Sequence, residues 1–373
     1  MVNHLLADLT GGGEHKSSLL DLLNQSGARA VLKQSRSDLG FADQLPFPFL
    51  AMVGQYEMRM ALLLSVINPA VGGVILIGPR GIGKTTCVRS LTGILPEIEV
   101  EDHSTAFDPE KPAPRVWDTV KIIELPLNAR LEEVVGGINE RMAVQQNRIR
   151  LEPGILAKAH QNILYIDEVN LLADDITDAI LDAAAQGNYT VRRGAMAGTF
   201  ASRFILIGSM NPEEGRLRPQ IMDRFGLRVV VRGLMTTPER LEVYRRVKAY
   251  RENPRDFLAQ WADLTNETQE QVYQARELLK QVNLTDEATE AGLALVQQLD
   301  LDSHRAEYAM FEAARARAAA DGREAATVQD LYAVAPLALR QRRSQFMVDF
   351  FHEQQQEDRN IRKALDELLT PAP

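Results

Sequence analysis

The 373-residue chain has one cysteine, Cys87. An internal disulfide framework and a multi-cysteine zinc site are therefore excluded. No apolar run approaches the ~18 residues that read as a membrane-spanning helix. The opening stretch MVNHLLADLTGGGEHKSS lacks a basic segment followed by an apolar one, so it does not read as a secretory signal, and a cytoplasmic location is expected. No group of histidines has metal-ligand spacing. The six present, among them His103, His160 and His304, are scattered and read as structural or solvated. A surplus of positive charge is also missing. The net charge is −9 and the pI near 5.4, which argues against nucleic acid as the main partner, because phosphates are bound through a basic face.

What is present is a soluble globular composition, 45% hydrophobic and 25% charged. The length suggests two domains. Residues 1–45 mix short helical patterns with a GGG break and read as a peripheral extension. From residue 46 to about 235, apolar runs of strand length recur at 74–77, 122–125, 163–166, 204–207 and 227–231, with helical stretches between them. Short apolar strands alternating with helices predict an α/β unit with a five-stranded parallel sheet covered on both faces. The segment 105–118 carries Pro109, Pro112 and Pro114 and reads as a surface loop. Beyond Pro238 the strand signals stop, and segments such as PERLEVYRRVKAYRENP carry apolar residues at helical spacing. Residues 236–373 are expected to form an all-α domain, ending in a solvated polar helix.

The stretch GPRGIGKTT, residues 78–86, fits G-x-x-x-x-G-K-[ST] and directly follows an apolar strand. Gly78, Gly81 and Gly83 let backbone N–H groups curl around phosphate oxygens, and the helix starting near Lys84 aims its positive end at them. Lys84 is expected to reach the β and γ phosphates, and Thr85 to place its hydroxyl on Mg²⁺. Pro79, Arg80, Ile82 and Thr86 complete the loop. NILYIDEVNLL, residues 162–172, is an apolar strand ending in two acids. Asp167 is positioned for the Mg²⁺ shell and Glu168 to polarise the attacking water. RFILIGSMNPEEG is a further strand, ending near Asn211, whose amide can bond the γ phosphate or the water. Arg218 and Arg224 follow, and either can supply a trans arginine or pair with a surface acid such as Asp223.

GPRGIGKTT, LEPGILAKAHQNILYIDEVNLL, GSMNPEEGRLRPQIMDRFG and FPFLAMVGQYEMRMALLLSVINPAVGGVILIGP together resemble the AAA+ ATPase subunit of magnesium chelatase, its I subunit. The resemblance is strong over about 45–255 and looser beyond. It implies an AAA+ P-loop core with a helical lid, and ATP with Mg²⁺ as cofactors. It also implies that Val53, Gly54 and Gln55 pack beside the adenine, that Asn211 is sensor 1, and that Arg224 is the arginine finger, supported by Arg218. Arg305, in LDSHRAEYAM, resembles the sensor 2 arginine set over the phosphates on the lid. TVRRGAMAGTFASRF resembles the hairpin before sensor 1, and LNARLEEVVGGINERMAV the helix 2 insert; both are expected to face the ring pore or a partner.

The family's assembly is a homo-oligomeric ring, expected to be a hexamer, with ATP sites between subunits. Its partners are a larger AAA+ and integrin-I-domain subunit and a porphyrin-binding subunit, which together insert Mg²⁺ into protoporphyrin IX. Two departures, the short segment EVEDHSTAFDPEKPAPRVWDTV and the neighbours of Arg305, keep a second reading open: a chelatase-like remodelling ATPase with another von Willebrand A-domain partner.

Overall fold

The computed structural model describes residues 18–25, 45–101, 115–138, 151–194, 196–215, 217–343, 353–354 and 356–362. Five parallel strands form the central sheet: β1 (Val74–Ile77), β2 (Ile122–Glu124), β3 (Ile163–Ile166), β4 (Ile205–Met210) and β5 (Leu227–Val230), in the order β5-β1-β4-β3-β2. Every residue of β1, β3 and β4 is buried, as a sheet covered on both faces requires. Alternate residues point to opposite faces and build two cores. Val74, Leu76, Tyr165 and Val229 belong to one, and Ile75, Ile77, Leu164 and Ile166 to the other.

The helices that position the site are α1 (Leu19–Gln25), α2 (Tyr56–Ile67), α3 (Lys84–Ser90), α4 (Asp174–Gln186) and α5 (Pro219–Arg224). Beyond them lie α6 (Thr237–Glu252), α7 (Pro254–Leu279), α8 (Asp286–Gln298), α9 (His304–Ala320) and α10 (Val328–Leu339). Residues 58–67 of α2 are all buried, because the helix lies between the sheet and the C-terminal helices. Asn68, at its end, donates to Glu312 Oε2 of α9 at 2.7 Å, and Arg276 of α7 donates to the Val66 carbonyl at 3.0 Å. Side-chain caps start the later helices: Asn253 accepts from Asp256 N and Thr285 from Ala288 N. In α9, residues 306, 309, 313, 314, 316 and 318–320 are all buried alanines, small enough to let α10 pack closely.

Several details differ from the sequence reading. The extension is not peripheral at α1, whose Leu19, Leu20 and Leu23 form an apolar face buried in the first core. The last four residues of the expected loop 105–118 form a strand, Arg115–Asp118, antiparallel to Ile98–Glu101; residues 105–114 lie outside the described residues. The expected insert at 127–144 begins as a helix, Leu131–Val135, and turns into a strand, Gly136–Ile138, paired with Leu151–Pro153; residues 139–144 lie outside the description. A hairpin joins Asn188–Arg193 to Met196–Ala201. The C-terminal helical region also contains a two-residue parallel ladder, Asn283–Leu284 with Ala325–Ala326. The described residues of 353–362 are exposed. Among the described residues no helix is long and apolar enough to cross a membrane.

Candidate nucleotide site

β1 runs straight into the glycine-rich loop. A Cβ on Gly78 would lie 2.3 Å from the Val231 carbonyl oxygen, so only glycine fits there. Gly81 and Gly83 take φ of 78° and 87°, the left-handed region that opens backbone N–H groups into a concave cradle. Lys84 begins α3 and folds back over this loop, donating from Nζ to the carbonyls of Gly78 at 2.6 Å and Pro79 at 2.8 Å. Burial lowers the pKa of Lys84, while the carboxylates of Asp167, Glu168 and Glu214 oppose that shift.

Across the cradle, β3 and β4 deliver the acids. Tyr165 OH donates to Asp167 Oδ1 at 2.9 Å, so the Thr85 hydroxyl, 3.1 Å from the Tyr165 phenol oxygen, donates to that phenol. Burial pushes the Tyr165 phenol up to about 12, so it remains a donor. Ser209, on β4, donates to Asp167 Oδ1 and accepts from Glu168 N at 3.1 Å. Glu168 has φ 55°, an uncommon conformation for a non-glycine residue that turns its side chain out of the strand line. Its Oε1 receives Arg80 Nε at 3.1 Å and Arg80 Nη2 at 2.9 Å. Arg80 Nε also lies 2.7 Å from Glu214 Oε1, and Asn211 Nδ2 donates to that same oxygen at 3.0 Å.

These groups surround a cavity of about 690 Å³, large enough for a nucleotide. Val53, Gln55, Arg80, Gly81, Ile82, Gly83, Lys84, Thr85, Thr86, Asp167, Glu168 and Asn211 all line it. Gly54 stands behind the lining at φ 61°, and Gln55 is fixed by donating to the Arg232 carbonyl at 2.7 Å. The residues that fit a hydrated Mg²⁺ are hard oxygen donors, Thr85 Oγ1 and Asp167, joined through one phenol.

Sequence reasoning missed one wall. Arg240, Val243 and Val247 of α6 line the same cavity, on one face of the helix by their i, i+3, i+7 spacing. The segment reads as polar, and only that spacing could have marked it. Tyr165 and Ser209 were missed for another reason: Tyr165 is hidden inside an apolar run and Ser209 lies just past one, and both are strand residues.

The arginines lie elsewhere. Arg218 pairs with Asp174 at 2.7 Å, and Arg224 with Asp182, both on α4. Arg224 and Arg305 line a second cavity of about 550 Å³ together with Gly72, Gly73, Phe204 and Gly226. Those four residues precede β1, β4 and β5, at the edge of the sheet opposite the glycine-rich loop. Arg305, expected on the lid over the phosphates, does not line the cavity of the glycine-rich loop within one chain. The reason is packing: the Asn68–Glu312 bond and the alanine face of α9 hold that helix against α2, so its first turn opens at the far edge.

A β5-β1-β4-β3-β2 parallel sheet, with a glycine-rich phosphate loop after β1, paired acids after β3, an asparagine after β4 and a helical C-terminal region, defines an AAA+ P-loop nucleotide-binding protein. Residues 49–220 match the family described as magnesium chelatase, subunit ChlI, and residues 290–364 the AAA lid domain. The chain is 42% identical to the magnesium-chelatase subunit ChlI homolog of Methanocaldococcus jannaschii, over 81% of this chain and 87% of that one. It is 39% identical to the magnesium-chelatase 38 kDa subunit of Rhodobacter capsulatus, over 84% and 92%. A chain of the BchI–BchD complex of magnesium chelatase, reconstructed by cryo-electron microscopy, is 38% identical over 80% of this chain and 96% of that one, with a TM-score of 0.47. The chain belongs to the magnesium chelatase ChlI family.

Proposed function

We propose that this chain hydrolyses ATP as the motor subunit of a magnesium-chelatase-type complex, driving Mg²⁺ insertion into protoporphyrin IX by partner subunits in chlorophyll or bacteriochlorophyll synthesis. The observation that carries the ATPase reading is the linkage Thr85–Tyr165–Asp167 beside Glu168, which brings the phosphate loop and the acid pair into one cavity. Family membership carries the chelatase reading.

In this reading residues 46–235 bind nucleotide and residues 236–373 form the lid. Lys84 leaves its carbonyl partners for the β and γ phosphates. Thr85 and Asp167 would hold Mg²⁺, which would supply neutralising charge to the phosphates. Glu168, released from Arg80, accepts a proton from the attacking water, and Asn211, released from Glu214, orients that water. Arg224 and Arg305 act together in trans on the neighbouring subunit's ATP, with Arg218 supporting the finger helix. Their shared cavity favours an anion: Arg228, Arg305 and Arg342 approach one carboxylate there, Asp223. Sites built between subunits require a homo-oligomeric ring, which we take as a hexamer, working in the cytoplasm with a larger AAA+ and integrin-I-domain subunit and a porphyrin-binding subunit.

The test is affinity purification of the tagged protein from its native cell with ATP and Mg²⁺, followed by mass spectrometry and Mg²⁺-insertion assays. Recovery of the chelatase A-domain and porphyrin-binding subunits is expected. Recovery of an unrelated von Willebrand A-domain protein would move the function to protein remodelling and leave the ATPase chemistry standing.

A further inference from the structure

Asp223 immediately precedes Arg224 at the end of α5. Its Oδ1 accepts from Arg342 Nη1 at 2.6 Å and from Ser303 Oγ at 3.1 Å, and Arg305 Nη1 stands 3.7 Å from Oδ2. Ser303 and Arg305 lie at the start of α9, and Arg342 follows α10. The side chain of Arg342 is wholly buried. Nη1 donates also to the Asp223 carbonyl at 2.8 Å, Nη2 to the carbonyls of Phe225 at 2.9 Å and Gly226 at 3.0 Å, and Nε to Ala338 at 3.0 Å. All five guanidinium donors are used, and three of the acceptors are main-chain carbonyls on either side of Arg224. Arg228, just inside β5, makes the reverse connection. It donates to the carbonyls of Arg340 at 3.2 Å and of Gln341, and to Met222 at 2.7 Å. Two buried guanidiniums thus cross between the finger helix and the end of the helical region, with one carboxylate between them.

We propose that Asp223 and Arg342 are positioning residues that couple the helical region to Arg224, so that Arg224 and Arg305 present themselves to the neighbouring subunit as one unit. The inference rests on the trans reading of those two arginines. A lysine at 342 carries the same charge but has at most three donors and no fork, so it cannot hold the carbonyls of Asp223, Phe225 and Gly226 and the Asp223 carboxylate together.

The experiment is ATPase assay of mixed rings made from full-length variants, with ATP affinity measured for each variant alone. The reference pair is Arg224→Ala mixed with Lys84→Ala: each is inactive alone, and mixing restores turnover because an intact loop then faces an intact finger. Arg342→Lys and Asp223→Ala are expected to bind ATP with an affinity close to that of the unmodified chain and to lose turnover on the order of tenfold. Mixing either with Lys84→Ala restores turnover; mixing either with Arg224→Ala does not. Failure of the reference pair would overturn the trans reading itself. With the reference pair working, full turnover by both variants, or loss of ATP binding by both, overturns the coupling. So does rescue of both by Arg224→Ala. If Arg342→Lys does not fold, Asp223→Ala alone is read in the same way.

Discussion

Arg80 Nη2 stands 2.9 Å from Glu168 Oε1, and Arg80 Nε stands 2.7 Å from Glu214 Oε1. One guanidinium on the phosphate loop thus holds both the acid proposed to activate water and the acid that holds Asn211. Oε1 of Glu168 accepts two hydrogen bonds from Arg80. In the proposed mechanism Arg80 shifts away from Glu168, a move that the negative charge of a triphosphate in the loop favours.

Glu168→Gln is expected to leave ATP binding intact, because the loop and Lys84 are untouched. Phosphate release should fall by roughly 10²–10⁴, the contribution of a positioned general base. Calorimetric binding and a phosphate-release assay together check this, and retained turnover would remove the role from Glu168.

Tyr165→Phe keeps the buried volume and deletes the hydroxyl that joins Thr85 to Asp167. A single lost hydrogen bond is worth about 1 kcal/mol. ADP affinity with Mg²⁺ should weaken by about fivefold, and ADP affinity in chelator should not change. An equal loss in both conditions would mean that the phenol shapes the pocket without tuning the metal site.

Gly78→Ala and Gly81→Ala separate close approach from backbone conformation. At Gly78 the new methyl meets the Val231 carbonyl at 2.3 Å, and a cost of about 3 kcal/mol is expected from overpacking. At Gly81 the methyl meets nothing within 4 Å, and φ of 78° is the whole problem, with a cost of about 1 kcal/mol. Thermal unfolding of the two variants should rank them in that order.

Asp330 caps α10 with its side chain fully buried, accepting from Thr327 N at 2.9 Å and Arg323 Nη1 at 2.8 Å, and from Arg317. Burial alone would raise its pKa, but the Arg323 and Thr327 donors override this and hold it below the ordinary 3.8. A depressed folded value means that the stabilisation is complete above about pH 4 and is lost as pH falls through the folded value. Denaturant melts should show constant stability between pH 5 and 7 from this group, and a decline below about pH 4. Asp330→Asn should cost about 2 kcal/mol at neutral pH, because half-buried Arg317 and Arg323 lose the charge-assisted bonds to the buried carboxylate, and it should flatten the acid limb. An unchanged acid limb would assign that decline to other carboxylates.

The strands were legible because each is a short apolar run buried on both faces. The run 163–166 has the bounds of β3, whereas β4 continues past 204–207 to Met210, where Gly208 and Ser209 carry no apolar signal. The phosphate loop and the acid pair were legible because each is contiguous and follows a strand, so local sequence dictates local geometry. Val243 and Val247 were not legible as cavity residues, because only the return of α6 over the loop gives them that role.

The sequence by itself determined the α/β class, the phosphate cradle and the acids opposite it, because strand periodicity, glycine torsions and a helix N-terminus are local matters. Only the tertiary packing shows where the arginines lie. Residues 68 and 312 are far apart in the chain, and their contact turns α9 so that Arg305 joins Arg224 at the far edge of the sheet. No local rule encodes that orientation, because it results from burying the alanine face of α9 against a helix that precedes β1.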